Sequence, residues 1–471
     1  LSALESVTPQ RLIATIEAAL AGGERFAAAW ASGRGGESAW RVLLVSPRRA
    51  RVISVAAADG PLESITGVIE AADWDEREAH DLHGLSFSGH SPLRPLVEHT
   101  DDAARWMTPV SGDGVHQVAV GPIHAGVIES GHFRFHVVGE RILAMDPRLF
   151  YKHRGLERAC EGQDVEDGLR YAGRACAACA VANTLAYAQA VEDAYALEPD
   201  HELRAARTVL LELERLYNHL HDIGAICAGV GFAPGTMAFA ALKDRAQQIN
   251  ARAFGHRFLF NTIAIARSPL TPERAALDAT RSALRELHTD TAAAWRDVQF
   301  AGSLQARLDG VGVLGGDDAL RLGAVGPPAR AAGLAEDLRI DQPLLAYAGF
   351  TPAAPETPSG DVGARLRLRA AELEATHAIL DELLERPLTE GAATPAEHEH
   401  PDSLGVGRVE SARGATTCIV ELAGARVTRL HLRTASYANW PALAHATAGN
   451  LLPDFPLINK SFELCYACVD R

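Results

Sequence analysis

Two Cys-x-x-Cys pairs, Cys176–Cys179 and Cys465–Cys468, constrain this chain more than any other feature. The stretch 180–464, 285 residues, lies between them, and the second pair ends three residues before the last residue, Arg471. Zinc ribbons usually close within a few tens of residues, so if these pairs serve one site, the whole intervening core must fold before the site exists. Four thiolates can hold zinc, an iron–sulfur cluster or a redox metal that prefers soft ligands. The alternative is a set of unrelated buried or redox cysteines. The first pair precedes helix-forming residues and is expected on a helix, where i, i+3 spacing turns both sulfurs the same way. Cys160, Cys227 and Cys418 bring the total to seven, and an odd number in a long chain speaks against a disulfide framework.

The formal net charge of −15 argues against a basic face built for nucleic acid. No apolar run reaches the roughly 18 residues of a membrane span. The start, LSALESVTPQRLIATIEAAL, reads as Thr8 capping an amphipathic helix rather than as a signal peptide. The chain is therefore expected in the cytoplasm, touching a membrane only through partners.

The pattern predicts an α+β protein in two parts, 1–108 and 109–471. The first is a small α/β unit: a leading helix, then strands at Trp40–Val45 and Arg51–Ala56. The second opens with the strand-like VHQVAVGPIH, HFRFHVVGE and RILAMD, and turns helical from Arg154 to about Arg296. A Gly-rich stretch, Leu308–Gly333, interrupts it, and a helix follows near Val362–Leu384. Residues 386–404 read as a surface loop, and strands return at RVESARG and TTCIVELAG.

Several segments resemble one family in order and in one register. They are GPIHAGVIESGHFRF (121–135), YKHRGLE (151–157), RACAAC (174–179), LAYAQAVED (185–193), GAVGPPARAAG (323–333), SARG (411–414), YANWP (437–441) and DFPLINKSFELCYACVDR (454–471). The likeness is to the large subunit of complex I-related nickel–iron hydrogenases, the formate hydrogenlyase and hydrogenase-4 type. WDEREAHDLHGLSFSGHSPLRPL (74–96) is similar to the 30 kDa complex I subunit that precedes it in such fusions.

The resemblance implies a nickel–iron centre whose iron carries carbon monoxide and cyanide, with Cys176 and Cys465 as terminal nickel ligands and Cys179 and Cys468 bridging. It implies Glu157, in Arg154-Gly155-Leu156-Glu157, as first proton relay, suited by a raised pKa. Arg413 is expected over the open face of the metals. His124 is expected to be structural or part of a proton network, Arg330 to be structural, and His80, His83 and His90 not to form a metal site. Implied partners are an iron–sulfur small subunit with a 4Fe–4S cluster, a ferredoxin-like electron-transfer subunit, antiporter-like membrane subunits and maturation factors, with the assembly on the cytoplasmic face of the inner membrane.

Three positions depart from the pattern. Ala177 replaces a glycine, Asn183 a histidine, and Glu463-Leu464 an Asp-Pro. An amide can donate a hydrogen bond near a bridging sulfur but carries no proton. The ending Cys-Val-Asp-Arg suits a chain matured by removal of a tail or encoded without one. A nickel-free quinone- or sulfur-reducing relative and a zinc-holding scaffold are the rival readings.

Overall fold

The computed structural model describes all residues except 1, 34–37, 48, 58–59, 126–127, 270, 343–344, 352, 354–357 and 396–403. The N-terminal sheet has the order β1-β4-β3-β2, with β1 (Ser2–Ser6), β2 (Arg25–Ser32), β3 (Ala39–Ser46) and β4 (Arg49–Ala56). Helices α1 (Leu12–Ala21) and α2 (Asp73–His83) accompany it. Strand β1 adds an edge that the sequence pattern does not signal. Thr8 stands at the N-cap of a short 3-10 turn ahead of α1, but among the described residues its side chain makes no capping bond.

The run WRVLLV is apolar on both strand faces, so both must be covered. Trp40, Val42 and Leu44 pack with Leu12 and Ile16 of α1. Leu43 and Val45 pack with Leu404 and Ile419 from far along the chain. The first unit therefore shares an apolar seam with the C-terminal strands.

A second sheet is formed by β5 (Val115–Val120), β6 (His132–Val138) and β7 (Arg141–Arg148), and a third by β8 (Leu404–Ser411), β9 (Gly414–Ala423) and β10 (Arg426–Arg433). The central helices are α3 (Leu156–Cys160), α4 (Val165–Gly173), α5 (Ala180–Ala194), α6 (His201–Gly229), α7 (Ala233–Phe254), α8 (Arg274–Gln299) and α9 (Val362–Leu383). The Gly-rich stretch contains short helices, including Gly326–Ala331. The chain ends in α10 (Ala435–Thr447), α11 (Phe455–Phe462) and α12 (Tyr466–Asp470). Of the expected surface loop, Ala393–Pro395 pairs as a strand with Leu197–Pro199, and 396–403 lie outside the described residues. No helix of the described residues is long and apolar enough to cross a membrane.

Helix α5 follows directly on the first cysteine pair, and its seat depends on two glycines. A Cβ at Gly405 or Gly407 of β8 would lie 1.9 Å from the carbonyl oxygen of Ala190 or Ala186, so only glycine lets strand and helix backbones meet.

Candidate metal centre

All seven cysteines are free thiols. Cys176, Cys179, Cys465 and Cys468 converge, with their ligand sulfurs all within 4.8 Å of one another. Cys179 Sγ and Cys465 Sγ are 3.6 Å apart. The expectation of a helical first pair is corrected: Cys176 lies in the turn after α4, and Cys179 is the N-cap of α5. A helix would fix the two sulfurs one turn apart, whereas the turn lets both point at the C-terminal pair. Four free thiols, three of them buried and that of Cys465 half-buried, form the donor set a soft metal ion requires.

The C-terminal pair is pinned locally. Cys465 N–H donates to Ser436 Oγ at 2.9 Å, and Thr434 Oγ1 donates to the Cys468 carbonyl at 3.1 Å. The Asp470 carboxylate accepts from the N–H groups of Phe150 and Lys152, at 2.7 and 2.8 Å. Asn183, on the first turn of α5, aims Nδ2 at Cys468 Sγ, 3.8 Å away. The amide thus does reach a sulfur as a donor.

Helix α6 holds the first pair in a way sequence reasoning missed. Glu214, Tyr217, Asn218, His221 and Asp222 recur at three and four residues and line one face. The Glu214 carboxylate accepts from the N–H groups of Val181 and Ala182 at 2.6 and 3.0 Å, capping α5 where Cys179 offers no side-chain cap. Tyr217 Oη and Asn218 Nδ2 donate to the Ala178 carbonyl at 3.1 and 2.7 Å. His221 meets Glu463, the residue replacing an aspartate, at 3.2 Å. The polar spacing within LELERLYNHLHD was the available signal. Burial pushes the Glu214 carboxyl up to about 8, against the pull of its two backbone donors.

Arg413 lies in the β8–β9 turn, beside which Gly414 and Gly326 touch backbone to backbone, a Cβ on Gly414 lying 2.6 Å from Gly326 N. Its guanidinium donates to Asp222 Oδ2 at 2.6 Å and Asn218 Oδ1 at 3.3 Å. Burial opposes its charge, but Asp222 and the Cys465 and Cys179 sulfurs raise its pKa.

Glu157 departs from expectation. Burial alone would raise its pKa, but Arg471, His431 and Arg429 outweigh it and hold the carboxylate well below its usual range. Oε1 accepts from Arg471 at 2.8 Å and from Leu432 N–H at 2.8 Å, and Oε2 from Arg429 at 3.0 Å. Glu157, Glu78 and His431 form a second group with metal-like spacing, yet Arg471 also pairs with Glu78, so guanidinium charge already fills it.

The remaining singled-out residues have ordinary partners. His124 Nε2 is 2.7 Å from the Gly131 carbonyl. Arg330 is buried between Glu372 and Glu410. His80 Nδ1 bonds the Leu85 carbonyl, and His90 sits between Asp73 and Glu76.

Comparison with known proteins gives a consistent picture. The family model "Respiratory-chain NADH dehydrogenase, 49 Kd subunit" matches residues 230–402 and 392–471, and that of the 30 Kd subunit matches 15–113. Hydrogenase-4 component G of Escherichia coli (strain K12) is 30% identical over 437 residues, covering 87% of this chain and 75% of that one. Formate hydrogenlyase subunit 5 of the same strain is 30% identical over 443 residues, covering 87% and 76%. An NADH-quinone oxidoreductase subunit of Salinispora arenicola (strain CNS-205) is 30% identical over 389 residues, covering 79% and 100%. A chain of the archaeal membrane-bound sulfane sulfur reductase has the same fold, with a TM-score of 0.69 at 23% identity over 77% of this chain and all of that one.

Proposed function

This chain belongs to the respiratory complex I 49 kDa and 30 kDa subunit family, in the fused form, and is an oxidoreductase subunit; on that premise we propose that it is the catalytic large subunit of a membrane-associated nickel–iron hydrogenase. The observation that carries this reading is the convergence of four free thiols, two from each end of a long chain, within 4.8 Å. Relatives named as hydrogenases and relatives named as NADH-quinone oxidoreductases both match, so the family by itself does not select the chemistry.

In this proposal residues 1–108 are the accessory domain and 109–471 the catalytic one. Cys176, Cys179, Cys465 and Cys468 would hold a nickel–iron centre whose iron would bear carbon monoxide and cyanide. Bound there, the pair of metals supplies reversible heterolytic cleavage of dihydrogen. The protein's own residues do the rest. Arg413, fixed by Asp222 and Asn218, keeps a positive charge beside the sulfurs. Glu214, Tyr217 and Asn218 hold the Cys176–Cys179 turn in place. Glu157 remains the candidate for proton exit, working as an ionised carboxylate within an arginine pair rather than as the neutral acid expected from sequence. Electrons come from a 4Fe–4S cluster in an iron–sulfur small subunit, supplied by a ferredoxin-like subunit. Antiporter-like membrane subunits anchor the assembly to the cytoplasmic face of the inner membrane, and maturation factors insert the metals.

Metal analysis and infrared spectroscopy of the anaerobically purified complex test this. Nickel, iron and bands from bound carbon monoxide and cyanide are expected. Zinc alone, or no metal, defeats the proposal.

A further inference from the structure

A chain of charged groups runs from Arg413 away from the thiols and through the protein interior. Arg413 and Arg369 both bind Asp222 Oδ2, at 2.6 and 3.0 Å. The same oxygen is 3.5 Å from Nδ1 of His219, one turn back on α6. His219 Nε2 is 2.7 Å from Glu372 Oε2 on α9. Glu372 Oε1 binds Arg330 at 2.6 Å, and Arg330 reaches Glu410 Oε1 at 2.8 Å. Arg339 closes the set on Asp337 at 2.6 Å. No member is more than 3% exposed.

The set contains four arginines and four carboxylates, so it is balanced when His219 is neutral. Histidine is the one member whose free form titrates near neutrality. Both of its ring nitrogens face a carboxylate. A neutral imidazole has one N–H, whereas the cation has two donors, and here each would have an acceptor. His219 Nδ1 and Asp222 Oδ1 are both buried without a hydrogen-bond partner among the described residues. A second proton on the imidazole would give the buried Nδ1 a charged acceptor, Asp222 Oδ2, 3.5 Å away.

An electron added to a buried thiolate centre is costly unless a positive charge arrives nearby. We propose that His219 is a redox-linked proton store, taking up one proton when the four-thiolate centre gains one electron and releasing it when that electron leaves. The electron comes from an iron–sulfur donor and the proton from solvent, so charge in the interior is conserved in each step. The groups that set the response are Asp222 on its own helix, with Arg369 of α9 and Arg413 of the β8–β9 turn upon it, and Glu372 of α9, with Arg330 of the short helix upon that.

Polar contact continues from His219 through Glu372 to Arg330, which grips Glu372 and Glu410 together. Glu410 and Asp337 line a cavity of about 130 Å³ whose other wall is Arg25, Phe26 and Ser46 of the N-terminal sheet. Burial and Asp337 raise the Glu410 pKa, so this carboxyl is suited to receive a proton at the mouth. The accessory sheet then has a further role as one wall of a proton entrance.

The inference rests on the hydrogenase reading, and the test separates the two. In the intact complex, infrared bands of the metal ligands are followed against potential and pH. In wild type the midpoint is expected to fall by about 59 mV per pH unit, the tenfold step for one electron and one proton. His219→Gln, which keeps a hydrogen bond but cannot gain charge, should flatten that slope while bands and metal content persist. Glu410→Gln should slow proton uptake without changing the slope. Nitrogen-15 NMR of histidine-labelled wild type needs no variant and should show His219 singly protonated when oxidised and doubly protonated when reduced. An unchanged slope in His219→Gln with intact bands, or a ring whose protonation ignores the redox state, overturns the proposal alone. Absence of the bands in wild type overturns the hydrogenase reading and this inference with it.

Discussion

Two clusters of ligand-type residues lie in this protein, both buried, both gathered within 4.8 Å, and they have opposite fates. Cys176, Cys179, Cys465 and Cys468 lie among one another's sulfurs, and the arginine that acts on them, Arg413, has its charge already bound to Asp222. Glu78, Glu157 and His431 are interlocked with Arg429 and Arg471, and His431 stacks on Trp30 with ring centroids 6.2 Å apart. Ligand spacing alone does not make a metal site. What decides is whether the protein has already supplied the positive charge. The carboxylates repeat the lesson. Glu214, for which burial outweighs the smaller pull of Arg215, is pushed up to about 8, while Glu157, between arginines, is held well down.

The largest effect is expected from Cys465→Ser, which should leave the folded subunit without nickel or hydrogen turnover. Retained turnover would break the assignment of the thiol cluster. Next, Arg471→Met should cost about 3–5 kcal/mol, because it takes the arginine from buried Glu78 and one of two arginines from buried Glu157. If the contrast is right, millimolar manganese or calcium should raise the melting temperature of this variant and not of wild type. No difference between the two would show that guanidinium charge is not what distinguishes the clusters.

The carboxylates sharpen the comparison through pH. The Glu214 pKa is higher folded than unfolded, so its cost is absent below about pH 4.5 and grows as pH rises towards 8. Glu214→Gln should gain on wild type by up to about 1.4 kcal/mol per pH unit across that window. The Glu157 contribution has the reverse sign: present above the unfolded pKa, and lost as acid protonates the carboxylate. Denaturant unfolding at several pH values measures both, and a flat Glu214→Gln difference would contradict the first. The smallest effect is expected from Asn183→Leu, which removes the donor to Cys468 and should weaken metal retention about tenfold. Competition with a chelator measures it.

Much of the fold was legible. The helix expected at Val362–Leu384 is α9, Val362–Leu383, and the strands at Trp40–Val45 and Arg51–Ala56 lie within β3 and β4. These segments announce themselves by periodicity, which is local. The polar face of α6 was not legible as buried. Glu214, Asn218 and Asp222 look like a solvated stripe until α5, α9 and the β8–β9 turn close over them, and only then must each find a partner. The raised pKa expected of Glu157 failed for the same reason. Its sign depends on Arg429 and Arg471, both about three hundred residues away in sequence.

By itself the sequence determined the donors: four soft sulfurs, the glycines that let β8 reach α5, and the alternation that builds the sheets. Those are properties of residue type and short-range order. The tertiary structure alone decided which clusters carry compensating charge, that the first cysteine pair occupies a turn, and that His219 lies between two carboxylates. Electrostatic balance in an interior depends on distances between groups remote along the chain, and no local pattern encodes them.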